Sequence, residues 1–188
     1  DSDIIFLCID TPKDKNGKPN LSNLNDAVSL ISENLKKSIL IVTKSTVPIG
    51  TNKKILTKLQ NKFKDDSSIN INVCSNPEFL KEGSAVNDFF RPERIIIGAS
   101  CNKVFAKMRR LYKPLNRKSN RLIEMSIESA EITKYAANAF LATKISFINQ
   151  IARVAEFSGA NIHEIRHGIG SDSRIGKDFL YAGLGYGG

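Results

Sequence analysis

Two uninterrupted apolar runs constrain this chain most: Ile4-Ile5-Phe6-Leu7-Cys8-Ile9 and Ile39-Leu40-Ile41-Val42. Neither alternates polar with apolar residues. Neither is long enough to bury itself as a helix or to span a bilayer, which takes about 20 apolar residues. A short run that is apolar on every residue fits a strand covered on both faces, the pattern of a parallel sheet. Between the runs, Ser22 stands as the N-cap of a helix carrying Leu24, Ala27, Val28, Ile31 and Leu35 at helical spacing. A second helix is expected from Ile49 to about Phe63. Ile71 to Ser75, Ile95 to Ile97 and Leu122 to Met125 read as further strands, with a helix from Asn102 to Tyr112 between the last two. Alternating strands and helices predict an α/β fold, a mostly parallel sheet with helices on both faces.

The pattern changes after Ser126. Ser129 to Phe157 contains neither Gly nor Pro and is apolar on most faces. One long helix is expected there. Its apolar surface calls for a second covering element, most simply a second subunit. Ser158-Gly159 ends it, and Asn161 caps a short helix through about Gly168. Seven of the twelve glycines then fall between Gly168 and Gly188.

Composition excludes several classes. With 188 residues, 41% of them apolar, the chain can bury a sizeable core, so disorder and disulfide scaffolds are not expected. Cys8, Cys74 and Cys101 show no metal-ligand spacing. Cys8 and Cys74 lie in apolar runs where free thiols are usually buried. A reducing, cytoplasmic compartment is expected. The net charge is +9, and Lys103 to Arg121 carries eight basic residues and no acidic one. Such a run suits either a nucleic-acid patch or a solvated face. Its only aromatics are Phe105 and Tyr112, too few for base stacking, so neither nucleic acid nor membrane is an expected partner.

In open parallel sheets ligands collect at the carboxyl ends of the strands. Thr11-Pro12, Ser45-Thr46-Val47-Pro48 and Asn76-Pro77-Glu78 occupy three such ends. The Ser45–Thr51 segment suits phosphate or ribose contact, or is an ordinary helix start with Pro48 in the first turn. Glu78 and Glu82 would share a face if one helical turn joined them, either as a general base and water holder or as solvated glutamates. Lys134, among Ala, Tyr and Phe residues, needs a partner or a ligand; it suits an oxyanion, with Asn138 as a neutral donor, or else a surface pair with Glu131. Arg174 lies in a glycine-rich stretch and suits a phosphate. His163 and His167 have no third ligand, and no metal is expected.

In this order the segments resemble the UDP-glucose 6-dehydrogenase family, within the nucleotide-sugar dehydrogenases. The matching segments are Cys8 to Pro12, Ser45 to Thr51, Asn76 to Gly83, Arg91-Pro92-Glu93-Arg94-Ile95-Ile96-Ile97-Gly98, Ser129 to Asn149 and Gly168 to Gly188. The resemblance implies oxidation of the sugar C6 alcohol to a carboxylate, with two NAD and a covalent cysteine thioester. It implies the second half of a Rossmann-type NAD-binding domain over residues 1–126. A central helical domain for dimerisation and substrate would follow over 127–188. By resemblance, Thr11, Ser45, Thr46, Val47 and Glu82 lie along NAD, and Glu78 and Thr46 manage the proton and the hydrolytic water. Lys134 and Asn138 stabilise the C6 oxyanion. Glu78, Phe79, Leu80 and Lys81, with Phe179, Tyr181, Ala182, Gly183 and Gly185, line the UDP-sugar pocket, and Arg174 reaches the substrate of the neighbouring subunit in a homodimer. The family's G-x-G-x-x-G loop and nucleophilic cysteine are not among these 188 residues, so the chain is expected to be an internal fragment, inactive alone. GDP-mannose or a UDP-N-acetylhexosamine is the alternative substrate, and a non-catalytic dimerisation module the alternative class.

Overall fold

All five residues of the strand Ile39–Thr43 are buried, and their alternation builds two hydrophobic layers at once. Ile39 and Ile41 face Leu24, Val28, Ile55 and Leu59; Leu40 and Val42 face Ile97, Val104, Met108 and Tyr112. Each fully buried side chain of this size contributes about 1.5–3 kcal/mol relative to an exposed one, so the two layers anchor the sheet. The computed structural model describes residues 2–116 and 120–185 and divides into two units, 1–134 and 135–188.

In the first unit, β1 (Ile4–Leu7), β2 (Ile39–Thr43), β3 (Ile71–Ser75), β4 (Ile95–Gly98) and β5 (Leu122–Met125) form one sheet in that spatial order. Neighbours run parallel except β3 and β4, which meet antiparallel at Ser75 and Gly98. The connection between those two strands holds only a six-residue helix, Ala85–Phe90, none of whose residues is buried. A parallel crossover needs a helix laid across the sheet, and none is present there. The helices α1 (Ser22–Asn34) and α2 (Thr51–Lys62) cover one face; taking Ala85–Phe90 as α3, α4 (Asn102–Tyr112) covers the other.

Several local expectations change. Ser22 is the first helical residue and not a side-chain cap; its N–H donates to Asn20 Oδ1 at 2.9 Å. α2 starts at Thr51, two residues late, because Gly50 enters it at φ 84°, outside the helical region. β1 stands first in the order of the described strands and is less buried than expected: Phe6 is exposed, and Cys8, beyond the end of the ladder, is exposed too. Cys74 is buried as expected, and burial pushes its thiol up to about 12, so it is unreactive. In the basic run, Val104, Met108 and Tyr112 form core, and Arg109 pairs with Glu124 of β5 at 2.6 Å. Arg117 and Lys118 of that run lie outside the described residues.

β4 ends beneath the start of α5 (Ile127–Ser158). A Cβ on Gly98 would lie 2.6 Å from Ala130 Cβ and 2.9 Å from the Ser126 carbonyl oxygen. Gly98→Ala is therefore expected to destabilise the protein by about 1–3 kcal/mol, the usual cost of overpacking a filled site. A wild-type midpoint in urea denaturation would count against this contact.

α5 spans 32 residues, about 48 Å at 1.5 Å per residue, and begins two residues before Ser129. The Ser126 hydroxyl accepts from Ser129 N at 3.1 Å and provides its cap. The second unit holds the rest of α5, α6 (Ile162–Gly170) and the segment that follows. Asn161 caps α6 as expected, accepting from His163 N at 2.9 Å; α6 continues two residues past Gly168. The last segment is anchored to α5 at several points: Leu180 is buried, Lys144 Nζ donates to the Ile175 carbonyl at 3.0 Å, and Gly183 N donates to Asn149 Oδ1 at 2.8 Å. Tyr186-Gly187-Gly188 of the glycine-rich stretch lie outside the described residues.

Candidate functional site

The first two strand ends are tied to each other before any ligand is considered. Ser45 Oγ accepts from Ile9 N at 2.8 Å and lies 2.5 Å from the Ile9 carbonyl oxygen. Thr11 Oγ1 donates to the Thr46 carbonyl at 2.9 Å. Ser45 thus fastens one loop to the other with its hydroxyl. The Val47 side chain is buried in the core, so only its backbone suits ligand contact. The Thr46 hydroxyl has no hydrogen-bond partner among the described residues. These half-buried hydroxyls lie at the carboxyl ends of parallel strands, where open α/β sheets collect their ligands.

The third strand end supplies charge. Asn76 is fully buried, and its polar side-chain atoms are both bonded: its N–H donates to the Thr43 carbonyl, its Nδ2 to the Ile96 carbonyl, and its Oδ1 accepts from the Tyr112 hydroxyl at 2.5 Å. This fixes the backbone two residues before Glu78. Lys134 reaches the same place from α5, and its Nζ donates to Glu78 Oε1 at 2.8 Å. Lys134 is 6% exposed. The other Glu78 oxygen accepts from Leu80 N at 2.7 Å. The Phe79 ring lies between two cations, with Lys134 Nζ 5.1 Å and the Arg94 guanidinium 4.3 Å from its centroid.

Burial pushes the Glu78 carboxyl up, but the hydrogen bonds from Lys134 and Leu80 and the charges of Lys134 and Lys44 outweigh it and hold it below the usual carboxylate range. A depressed carboxyl stabilises the fold above its unfolded pKa, near 4.3, and loses that contribution as pH falls through the lower folded value. The stability difference between wild type and Glu78→Gln is therefore expected to be constant from pH 5 to 7 and to shrink below about pH 4. Urea midpoints at a series of pH values would show it; a difference unchanged down to pH 3 would mean the carboxylate does not depend on Lys134.

Two expectations for this region are corrected. Glu78 and Glu82 do not share a helical face, because residues 76–84 are irregular and turn at Gly83, φ 80°. Glu82 is exposed, one turn of loop beyond the pair. Lys81 is exposed and leans toward Asp88 and Glu93 at 3.7 and 3.5 Å, with Leu80 exposed beside it. The Lys134–Glu131 surface pair does not form. Glu131 is buried and turns to α2, where its carboxylate accepts from Gly50 N, Asn52 N and Asn52 Nδ2.

Asn52 and Lys44 escaped the sequence reading, and Glu131 entered it only as a surface partner for Lys134. Lys44 has a signal in hindsight: a lysine two residues past the apolar Ile39–Val42 run, at the end of a buried strand, has little water to point into. Burial pulls its ammonium below the usual lysine range, against the opposing pull of Glu78.

In the second unit, Arg174 is exposed and forked onto Asp172, with Nε and Nη2 at 3.0 and 2.5 Å. Phe179 has φ 62°, the one non-glycine in the left-handed region among the described residues. Such strain is held only where packing dictates it, and here the next residue, Leu180, is buried. Tyr181, Ala182, Gly183 and Gly185 follow; the Arg166 guanidinium stacks on Tyr181 at 4.3 Å. Asn138 is half-buried on α5, one turn past Lys134 in sequence. His163 and His167 are exposed, and no group of ligating side chains suits a metal among the described residues. No described helix is long and apolar enough to cross a membrane.

A mostly parallel sheet covered by helices on both faces, with polar loops at its strand ends, is the architecture of a dinucleotide-binding domain. The chain belongs to the UDP-glucose/GDP-mannose dehydrogenase family: residues 1–116 match that family's NAD-binding domain and residues 128–188 its central domain. It is 42% identical to a UDP-glucose 6-dehydrogenase of Pseudomonas aeruginosa and 46% identical to one of Bacillus subtilis, over the whole chain in both cases. It spans 42% and 40% of those two proteins. Among solved structures, a UDP-glucose dehydrogenase from Pyrobaculum islandicum superposes with a TM-score of 0.90 at 35% identity, covering all of this chain and 43% of that one. A GDP-mannose dehydrogenase from P. aeruginosa superposes at 0.83 with 27% identity, covering all of this chain and 44% of that one.

Proposed function

We propose that this chain is part of an enzyme that oxidises the C6 alcohol of UDP-glucose to the carboxylate of UDP-glucuronate, in two NAD-dependent steps through a cysteine thioester. The observation that carries the reading is the Lys134–Glu78 pair at the strand ends. NAD, when bound, would supply the hydride acceptor. As the proton leaves the C6 hydroxyl, negative charge gathers on its oxygen, and that charge collapses into the carbonyl as the hydride departs. An ammonium held in place by Glu78 meets that charge without having to be desolvated or turned first. Asn138 adds a neutral donor. Glu78, kept ionised at neutral pH, serves with Thr46 to hold a water or receive a proton. Thr11, Ser45, Thr46, the Val47 backbone and Glu82 border NAD. Phe79, Leu80 and Lys81, together with Phe179, Tyr181, Ala182, Gly183, Gly185 and Arg174, receive the nucleotide sugar. The thioester does not fall on Cys74, whose thiol is pushed up to about 12.

UDP-glucose is preferred over GDP-mannose on one observation. The relatives named for UDP-glucose are 35–46% identical to this chain, and the structure named for GDP-mannose is 27% identical. We further place residues 1–126 in the NAD-binding domain and 127–188 in a central domain that dimerises through α5. Phe140, Phe147 and Val154 are exposed on α5 at seven-residue intervals, with Phe157 nearly fully exposed after them. That spacing suits the seam of a helix pair. The three free cysteines suit a cytoplasmic protein.

The test is NADH production by the full-length protein with UDP-glucose, GDP-mannose and UDP-N-acetylglucosamine. The expected result is the highest kcat/KM with UDP-glucose and two NADH per UDP-glucuronate. A preference for GDP-mannose would move the protein to the sister activity, and no NADH with any of the three would make it a dimerisation module.

A further inference from the structure

The carboxylate of Glu131 takes no part in the chemistry above, yet it is 2% exposed and no basic side chain pairs with it among the described residues. Both of its oxygens are engaged at the first turn of α2. Oε2 accepts from Gly50 N at 2.6 Å; Oε1 accepts from Asn52 N at 3.0 Å and Asn52 Nδ2 at 2.8 Å. Asn52 Oδ1 in turn accepts from Thr43 Oγ1 at 2.7 Å, the last residue of β2. An ionised acceptor facing the free N–H groups of a helix start forms stronger bonds than a neutral cap would.

The loop between β2 and α2 is consequently held at both ends. Ser45 fastens its start to Ile9, and Glu131 fastens its end at Gly50. Only Thr46 to Ile49 lie between. The residue that holds the far end belongs to α5, one turn before Lys134. Glu131 and Lys134 have opposite charges at helical i, i+3 spacing, yet each bonds to a different strand-end loop: Glu131 to the one after β2, Lys134 to Glu78 after β3.

We propose that Glu131 is a positioning residue of the dehydrogenase site, setting the loop that carries Thr46 at a fixed place relative to Lys134. The start of α5 then acts as a clamp, and the rim that borders the cofactor and the lysine that meets the substrate oxygen move as one body. This rests on the reading that Thr46 borders NAD.

The test is Glu131→Gln in the full-length enzyme. The amide keeps the shape but turns an NH2 group toward at least one of three N–H donors. NAD affinity, measured by calorimetry, is expected to fall about tenfold, the size of one lost charge-assisted hydrogen bond. kcat is expected to fall with it, while UDP-glucose affinity stays at the wild-type value. A purely structural role would lower the melting temperature and leave the NAD affinity of the folded enzyme unchanged, and that result overturns the proposal. An equal loss of affinity for NAD and UDP-glucose overturns it as well. If Glu131→Gln does not fold, Asn52→Ala removes one of the three bonds and must show the same selective loss at smaller size; unchanged NAD affinity there refutes the clamp. A wild-type enzyme that binds UDP-glucose but not NAD would overturn the assignment of Thr46, and the proposal with it. A wild type that binds NAD normally beside an unaffected Glu131→Gln would overturn the proposal alone.

Discussion

Lys134→Ala in the full-length enzyme is expected to lower kcat about 10²–10³-fold while changing the KM for UDP-glucose little, the signature of a donor that acts on developing charge. The structure explains the split. The Lys134 ammonium is nearly sealed from solvent and oriented by Glu78 at 2.8 Å, so its position is set before substrate arrives. An alcohol in the ground state gains little from a nearby cation, and the oxyanion that forms from it gains much. Alanine also leaves Glu78 half-buried without its main partner, so a folding measurement must accompany the kinetics. Lys134→Arg separates the two effects: it keeps a charge for Glu78 but places a broad, planar group where a compact one stood. It is expected to recover stability more than turnover. Near-normal turnover in Lys134→Ala would reduce Lys134 to a structural partner of Glu78.

Mixing two inactive full-length variants, Lys134→Ala and Arg174→Ala, is expected to restore activity to about half of wild type per mixed dimer, by two-fold symmetry. The proposed dimer seam on α5 places two copies together, and Arg174 is exposed with its guanidinium extended beside Asp172. If Arg174 serves the neighbouring subunit, a mixed dimer has one site with both defects and one with neither. If Arg174 serves its own subunit, each site keeps one defect and the mixture stays inactive. Subunit exchange is verified by mass. Inactivity with exchange complete would refute the shared site.

Much of the fold was legible in the sequence because strand burial leaves a direct mark. The all-apolar Ile39 to Val42 run could satisfy itself only between two helical layers, and that is where it lies. Asn102 to Tyr112 forms a helix with the expected bounds, its Val104, Met108 and Tyr112 falling on one face. The antiparallel β3–β4 contact was hidden: it depends on α3 not covering the sheet, and exposed Val86 and Phe90 look like core residues until their surroundings are known.

The site divides in the same way. Sequence alone singled out Lys134, because a lysine among Ala, Tyr and Phe must find a partner, and it singled out Glu78 as a carboxylate at a strand end. It could not join them. They stand 56 positions apart, and the nearer Glu131 has the spacing that favours a helical pair. Tertiary structure decided otherwise: α5 crosses the strand ends so that Glu131 meets the unpaired N–H groups of α2 and Lys134 meets Glu78. The physical reason is that local spacing sets which charges can meet along one helix, whereas burial sets which must meet. A buried carboxylate goes to the strongest donors within reach, and those are assembled only when the helix packs on the sheet.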